Sequence, residues 1–123
     1  MKILLLALTL LITGSAWADW VLVVGNDSAN IYIDPATIRK DGNFRKAWEL
    51  HDLKKQHKDG TLSRRMRSEY DCKQERTRML SFTTHSGSMS RGDTLFSHDA
   101  VDIWVDIPPD TLGETILKVV CAR

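Results

Sequence analysis

Between Ser63 and Phe82 the chain alternates in two extended runs around a polar corner. Met66, Ser68, Tyr70 and Cys72 share one side of the first run, and Arg65, Arg67, Glu69 and Asp71 share the other. That is the period-two pattern of a strand with one face buried and one in solvent. After Lys73 to Glu75 the alternation resumes, with Arg76, Arg78, Leu80 and Phe82 against Thr77, Met79, Ser81 and Thr83. The pattern predicts a hairpin that holds Cys72 at its corner.

The flanking segments read the same way. Trp20 to Val24 is a β-branched apolar run ended by Gly25-Asn26-Asp27, a turn signal. Ile31-Tyr32-Ile33 is a second short strand, stopped at Asp34-Pro35, where proline removes a ladder donor. A single turn over Pro35 to Ile38, capped by Asp34, tucks Ile38 back toward the core. Asp41-Gly42-Asn43 is a tight turn leading into Phe44 to Leu53, read as a strand with Trp48 inward. A helix competes there, since Ala, Glu, Leu and Lys favour it, but the aromatic residues and the preceding turn suit a meander.

Lys54 to Gly60 and His85 to Asp93 read as exposed loops. Val101, Ile103, Val105 and Ile107 alternate with Asp102, Trp104 and Asp106, which predicts a strand over Ala100 to Ile107, ended by Pro108-Pro109. The period then changes. Thr111-x-x-Glu114 is a capping box, and Leu112, Ile116, Val119 and Val120 form one apolar helical stripe. The prediction is an α+β fold, about six antiparallel strands followed by one C-terminal helix.

The N-terminus changes the counts. Lys2, an apolar run from Ile3 to Ile12 and Ala16-Trp17-Ala18 make residues 1–18 a secretory signal peptide; the run is about half the roughly 20 apolar residues of a membrane span. Removing 18 of the 123 residues leaves 105, residues 19–123, enough for one domain. Lys2 leaves with the leader, so 16 basic residues balance 16 acidic ones. That balance argues against nucleic acid as a partner. The cluster Lys54, Lys55, Lys58, Arg64, Arg65 and Arg67 reads as a solvated loop and strand face. The two cysteines of an exported chain form one bridge, Cys72 to Cys121, pinning the helix across the sheet. A redox thiol is the rival, without a CxxC pattern.

Several residues together resemble a known family. Trp20, Tyr32-Ile33-Asp34, the Gly42-Asn43 turn before Trp48-Glu49-Leu50, Ser63 opening a strand that ends Glu69-Tyr70-Asp71-Cys72, Trp104, Pro108-Pro109 and Cys121 resemble the surface-adhesin protein E family of Gram-negative bacteria. The resemblance spans nearly all of residues 19–123 and implies a small antiparallel sheet with a disulfide-pinned helix. For its named member it also implies surface display and binding of host matrix or plasma proteins. This chain lacks a lipid-attachment cysteine beside the leader, so a periplasmic or secreted form fits it, with surface association open.

The remaining candidates each have a plain alternative. Arg91-Gly92-Asp93 matches an integrin-ligand tripeptide, while turn geometry alone accounts for its glycine. His51, His57, His85 and His98 are metal-ligand types without ligand spacing. His98-Asp99 with Asp102 is a His/carboxylate cluster, and Asp102 with Asp106 a carboxylate pair; alternating acids on a strand more often keep its edge soluble. Ser, His and Asp occur without the G-x-S-x-G setting of a nucleophile elbow. Trp104 packs under the helix or, if exposed between aspartates, makes a protein-binding hot spot.

The expectation is an exported, non-enzymatic protein-binding domain without cofactor, metal or membrane span, its candidate partner-binding residues Trp104, Arg91 and Asp93. The alternative is a periplasmic small-ligand carrier or small hydrolytic enzyme. Oligomeric state and partner are not fixed by the sequence.

Overall fold

The computed structural model describes residues 18–123; the expected signal peptide, up to residue 17, lies outside them. Eight strands form one antiparallel sheet: β1 (Val21–Gly25), β2 (Ala29–Ile33), β3 (Arg39–Asp41), β4 (Phe44–Leu53), β5 (Ser63–Asp71), β6 (Arg76–His85), β7 (Thr94–His98) and β8 (Val105–Asp106). The order is β1-β2-β4-β5-β6-β7, with β3 on β4 and β8 on β6. One helix follows, α1 (Leu112–Cys121).

Local chemistry sets the corners. Asp34 caps the single turn at Pro35–Thr37 by accepting from the Ala36 N–H at 3.2 Å. Gly42, at φ +56°, lets the chain reverse between β3 and β4, with Asp41 paired to Phe44. At the β5–β6 corner, Asp71 accepts from the N–H groups of Lys73 (3.2 Å) and Gln74 (3.0 Å) and from Arg76 Nε (3.1 Å). Burial pushes the Asp71 carboxyl up, but these donors outweigh it and hold the carboxyl below the usual range.

Helix α1 starts at Thr111, whose hydroxyl accepts from the Glu114 N–H at 3.3 Å. The expected capping box is half-formed, because the Glu114 carboxylate takes Lys118 at 3.0 Å along the helix. Ile116, Leu117 and Val120 are buried against Ala29, Ile31, Ile33, Ala47 and Tyr70. A helix of 10 residues is marginal alone. The bridge between Cys72 and Cys121, with Cα atoms 5.8 Å apart, ties its end to the β5–β6 corner.

Two readings need correction. In β4 the residues facing the helix are Arg45, Ala47 and Glu49, all buried, and Trp48 lies half-buried on the opposite face. Both faces of β4 are covered, since Leu50, of the Trp48 parity, is also 0% exposed. Hydrophobicity therefore did not decide which side meets the helix. The strand expected over Ala100 to Ile107 shortens to Val105–Asp106. The segment from β7 to β8 follows the outer edge of β6 as one broken strand: Phe82 pairs with His98, the Asp102 N–H donates to Met79 O at 2.9 Å, and Thr77 pairs with Val105. Val101 (61%), Ile103 (82%) and Val105 (56%) are exposed, and of that parity Ile107 packs on the core.

Candidate functional site

The helix covers one face of the sheet, and the other face carries rows of arginine and aromatic side chains. Register places these rows. Phe44, Asp71, Arg76 and Asp106 align across β4, β5, β6 and β8. Lys46, Glu69 and Arg78 form the next row, Trp48, Arg67 and Ser81 the third, and Leu50, Arg65 and Thr83 the fourth. Directly opposed residues share a face, so the hairpin's charged side and the Trp48 side of β4 are one surface.

Trp104 completes it. The indole packs on Phe44, ring centroids 5.8 Å apart, and lies under the guanidinium carbons of Arg76 (4.8 Å) and Arg78 (4.4 Å). Trp48 lies under Arg65 at 5.1 Å. Such contacts contribute about 0.5–1 kcal/mol each at exposed sites and more when desolvated. Arg76 also pairs with Asp71 at 3.1 Å, and Arg78 with Glu69 at 2.6 Å. Among the described residues Arg65 and Arg67 have no carboxylate within salt-bridge distance. The lattice is thus charge-neutral where Arg76 and Arg78 meet Asp71 and Glu69, and cationic at Arg65 and Arg67.

Trp104 therefore lies on the helix-free face, beside arginines of a neighbouring strand rather than under the helix. Arg91 and Asp93 are exposed on the loop between β6 and β7. That loop folds over the far end of the same face. Asp52 accepts from Ser88 Oγ (2.8 Å) and the Met89 N–H (2.9 Å), while Ser63 Oγ donates to Gly87 O (2.7 Å) and accepts from the Ser90 N–H (2.8 Å). Gly92 sits at φ +74°, and a Cβ there would meet Ser86 Oγ at 2.4 Å. Loop closure alone requires the glycine. A cleft of about 500 Å³ between this loop and the start of β1 is lined by Ala18, Asp19, Trp20, Arg65, Met89, Ser90 and Arg91.

The histidines are dispersed. His51 Nε2 lies 3.1 Å from Glu49, His57 Nδ1 lies 3.4 Å from Arg64, and His98 packs on Phe82. Among the described residues no three His, Cys, Asp or Glu side chains converge as a metal site requires. His85 is buried at the base of the loop, 2.7 Å from Thr83 Oγ1, and burial first, then Arg65, lowers its pKa from the ordinary 6.5. An unfolded histidine thus binds a proton that the folded one resists, so stability falls as pH drops through about 6.5. Melting curves from about pH 7.5 to about pH 5 should show that loss, and His85→Gln should flatten it.

On the helix side, beyond the helix, Met66, Met79, Phe82, Thr84 and Phe96 with Arg64 and Asp59 line an open groove of about 350 Å³. The sequence reading missed two features: the Trp48 side of the lattice, where Arg65 and Arg67 read as part of a solvated face, and the buried Glu49 held by Tyr70. The signal for the first was available in the alternation of Arg65 and Arg67 once β5 is paired with the Trp48 side of β4. Nothing in the spacing marked Glu49 as buried.

The profile of the surface-adhesin protein E family matches residues 20–122. Among solved structures, crystal form II of Haemophilus influenzae protein E superposes with a TM-score of 0.65 at 16% identity, over 88% of this chain and 91% of that one. Protein E from non-typeable Haemophilus influenzae superposes with a TM-score of 0.63 at 16% identity, over 89% of this chain and 79% of that one. At such identities the superpositions establish a shared fold. A search of curated protein sequences returned no match. The profile match over nearly all the described residues establishes the rest: the chain belongs to the surface-adhesin protein E family.

Proposed function

We propose that the protein is an exported, non-catalytic binding domain that engages another protein through the helix-free face of its sheet. The observation that carries this reading is the arginine lattice over Trp48 and Trp104, half-buried side chains braced in place on a rigid sheet. Tryptophan and arginine are the residue types that dominate binding energy at protein interfaces, and side chains already held in position lose little entropy on binding. Asp71 and Glu69 of this face are spent on ion pairs with Arg76 and Arg78, and among the described residues no three His, Cys, Asp or Glu side chains converge on one point. Family membership and the leader-like N-terminus support export, with the periplasm, the medium or the cell surface as destination. Host matrix or plasma proteins are the partner class that the resemblance implies.

Fractionation of the native host, followed by crosslinking in the fraction that holds the protein, tests this reading. Detection outside the cell with a protein adduct supports adhesion. Confinement to the periplasm ends the adhesin reading and leaves the family with the fold alone. Once a partner is in hand, Trp104→Ala should weaken its capture about 30-fold, the effect of a hot spot of about 2 kcal/mol, with the circular-dichroism spectrum unchanged. An undiminished capture removes Trp104 from the interface.

The groove lined by Met66, Met79, Phe82 and Phe96 favours a second reading, a carrier of small apolar ligands. Displacement of a hydrophobic dye by periplasmic extract, lost in Met79→Glu, distinguishes it.

A further inference from the structure

The helix-free face divides into a half that is already satisfied and a half that is not, and the chain itself shows what satisfies it. Along β6, Arg76 and Arg78 meet the carboxylates of Asp71 and Glu69 and cover Trp104. Those two carboxylates stand two residues apart on the extended β5, as the two arginines stand on β6. Acids alternating along an extended chain are thus what this fold lays beside arginines that project at the same spacing. Along β5, Arg65 and Arg67 project from the same face two residues apart, about 7 Å in an extended strand. They have no such partner among the described residues. Arg65 also opens into the cleft lined by Trp20 and Arg91, where Asp19 is the one acidic side chain.

We propose that the partner presents an acidic extended segment, carboxylates at every second residue, which lies along β5 with its acids on Arg65 and Arg67 and one end at Arg91. The proposal rests on the helix-free face being the binding surface. An extended polypeptide repeats its side chains on one face at the spacing of the two arginines, so an alternating acid sequence meets both guanidiniums without distortion. Each guanidinium forks to a carboxylate in a charge-assisted pair. Arg65 is already held over the Trp48 ring and gives up little freedom in pairing. The chemistry selects a polypeptide with alternating acids over one whose acids come in adjacent pairs separated by two neutral residues, because the same-face carboxylates of the latter stand four residues apart, about 13 Å.

The test uses the residue 19–123 protein and three fluorescein-labelled peptides: alternating Asp and Thr, the same composition as a repeat of Asp-Asp-Thr-Thr, and alternating Lys and Thr. Fluorescence anisotropy should show the alternating acidic peptide binding at least about tenfold tighter than the Asp-Asp-Thr-Thr repeat, with affinity falling steeply as salt rises. The alternating lysine peptide should not bind. Arg65→Glu with Arg67→Glu should abolish binding, Arg67→Gln alone should weaken it about tenfold, and Lys54→Glu with Lys55→Glu in the distant loop should leave it unchanged. Melting curves confirm that each variant is folded. Equal binding of the two acidic peptides, insensitivity to salt, or an effect of the loop variant equal to that of the strand variant overturns the proposal, as does tighter, Arg65-dependent binding of heparin. None of these outcomes touches the binding-face reading, which stands or falls on where a partner crosslinks.

Discussion

Replacing Cys72 and Cys121 together with alanine should lower the unfolding free energy by about 4 kcal/mol, the chain-entropy value for a loop of roughly 50 residues. That is a large fraction of the stability of a domain this size. The loss should be uneven. The helix that the bridge ties down is short, and only Ile116, Leu117 and Val120 bury it against the sheet. Without the tie, its docking depends on those three side chains and on Arg45, whose guanidinium is buried and donates to Arg123 O at 3.1 Å and Gly42 O at 2.8 Å. Amide hydrogen exchange should show α1 losing protection first, while β4 and β5, which pair with each other along nearly their whole length, keep theirs. A change in denaturation midpoint worth less than about 1 kcal/mol, or uniform loss of protection, would contradict the assigned role.

Tyr70→Phe should be the most costly removal of a single atom, about 3 kcal/mol. Tyr70, 4% exposed, donates its hydroxyl to Glu49 Oε1, and Glu49 is 2% exposed with His51 at 3.1 Å on its other oxygen. Deleting the hydroxyl leaves a carboxylate facing the apolar core between sheet and helix with His51 as its remaining partner. Removing both polar groups is different. Tyr70→Phe with Glu49→Met should recover much of the loss, because neither desolvated group is left behind. Urea denaturation of the single and double variants decides it. A double variant weaker than Tyr70→Phe alone would mean that Glu49 stabilises the core through contacts other than the tyrosine.

Much of this fold was legible because short-range chemistry determined it. The Asp34 cap, the Gly42-Asn43 reversal, the Asp71 corner and the Thr111 helix start each depend on residues within a few positions of one another. The cysteine pairing was legible because only one pair exists. What was misread depends on which covering element lies over which side of a strand. Ala47 faces the helix among Ile33, Tyr70 and Val120, while Trp48 takes the other side beneath Arg65. Apolar content alone favours the tryptophan as the inward residue. The same ambiguity hid the edge. Val101, Ile103 and Val105 alternate as a half-buried strand does, but they run along the outside of β6 and are exposed among the described residues.

The site was legible in part. Trp104 stood out from its aspartates, and the structure places it beside Arg76 and Arg78. The cationic half, Arg65 and Arg67 with Trp48, was lost in a count of basic residues, since its meaning comes from a cross-strand register that only pairing reveals. Arg91 and Asp93 sit on a loop whose geometry explains Gly92, and Arg91 lines the same cleft as Arg65.

The most direct test of the central claim is a photocrosslinking amino acid placed at Ser81, within the third row of the helix-free face, and separately at Lys118 on the exposed side of α1, each expressed in the native host. The account predicts a discrete protein adduct from position 81 and none from position 118. An adduct from position 118 with none from position 81 would contradict it, and would move the binding surface to the helix.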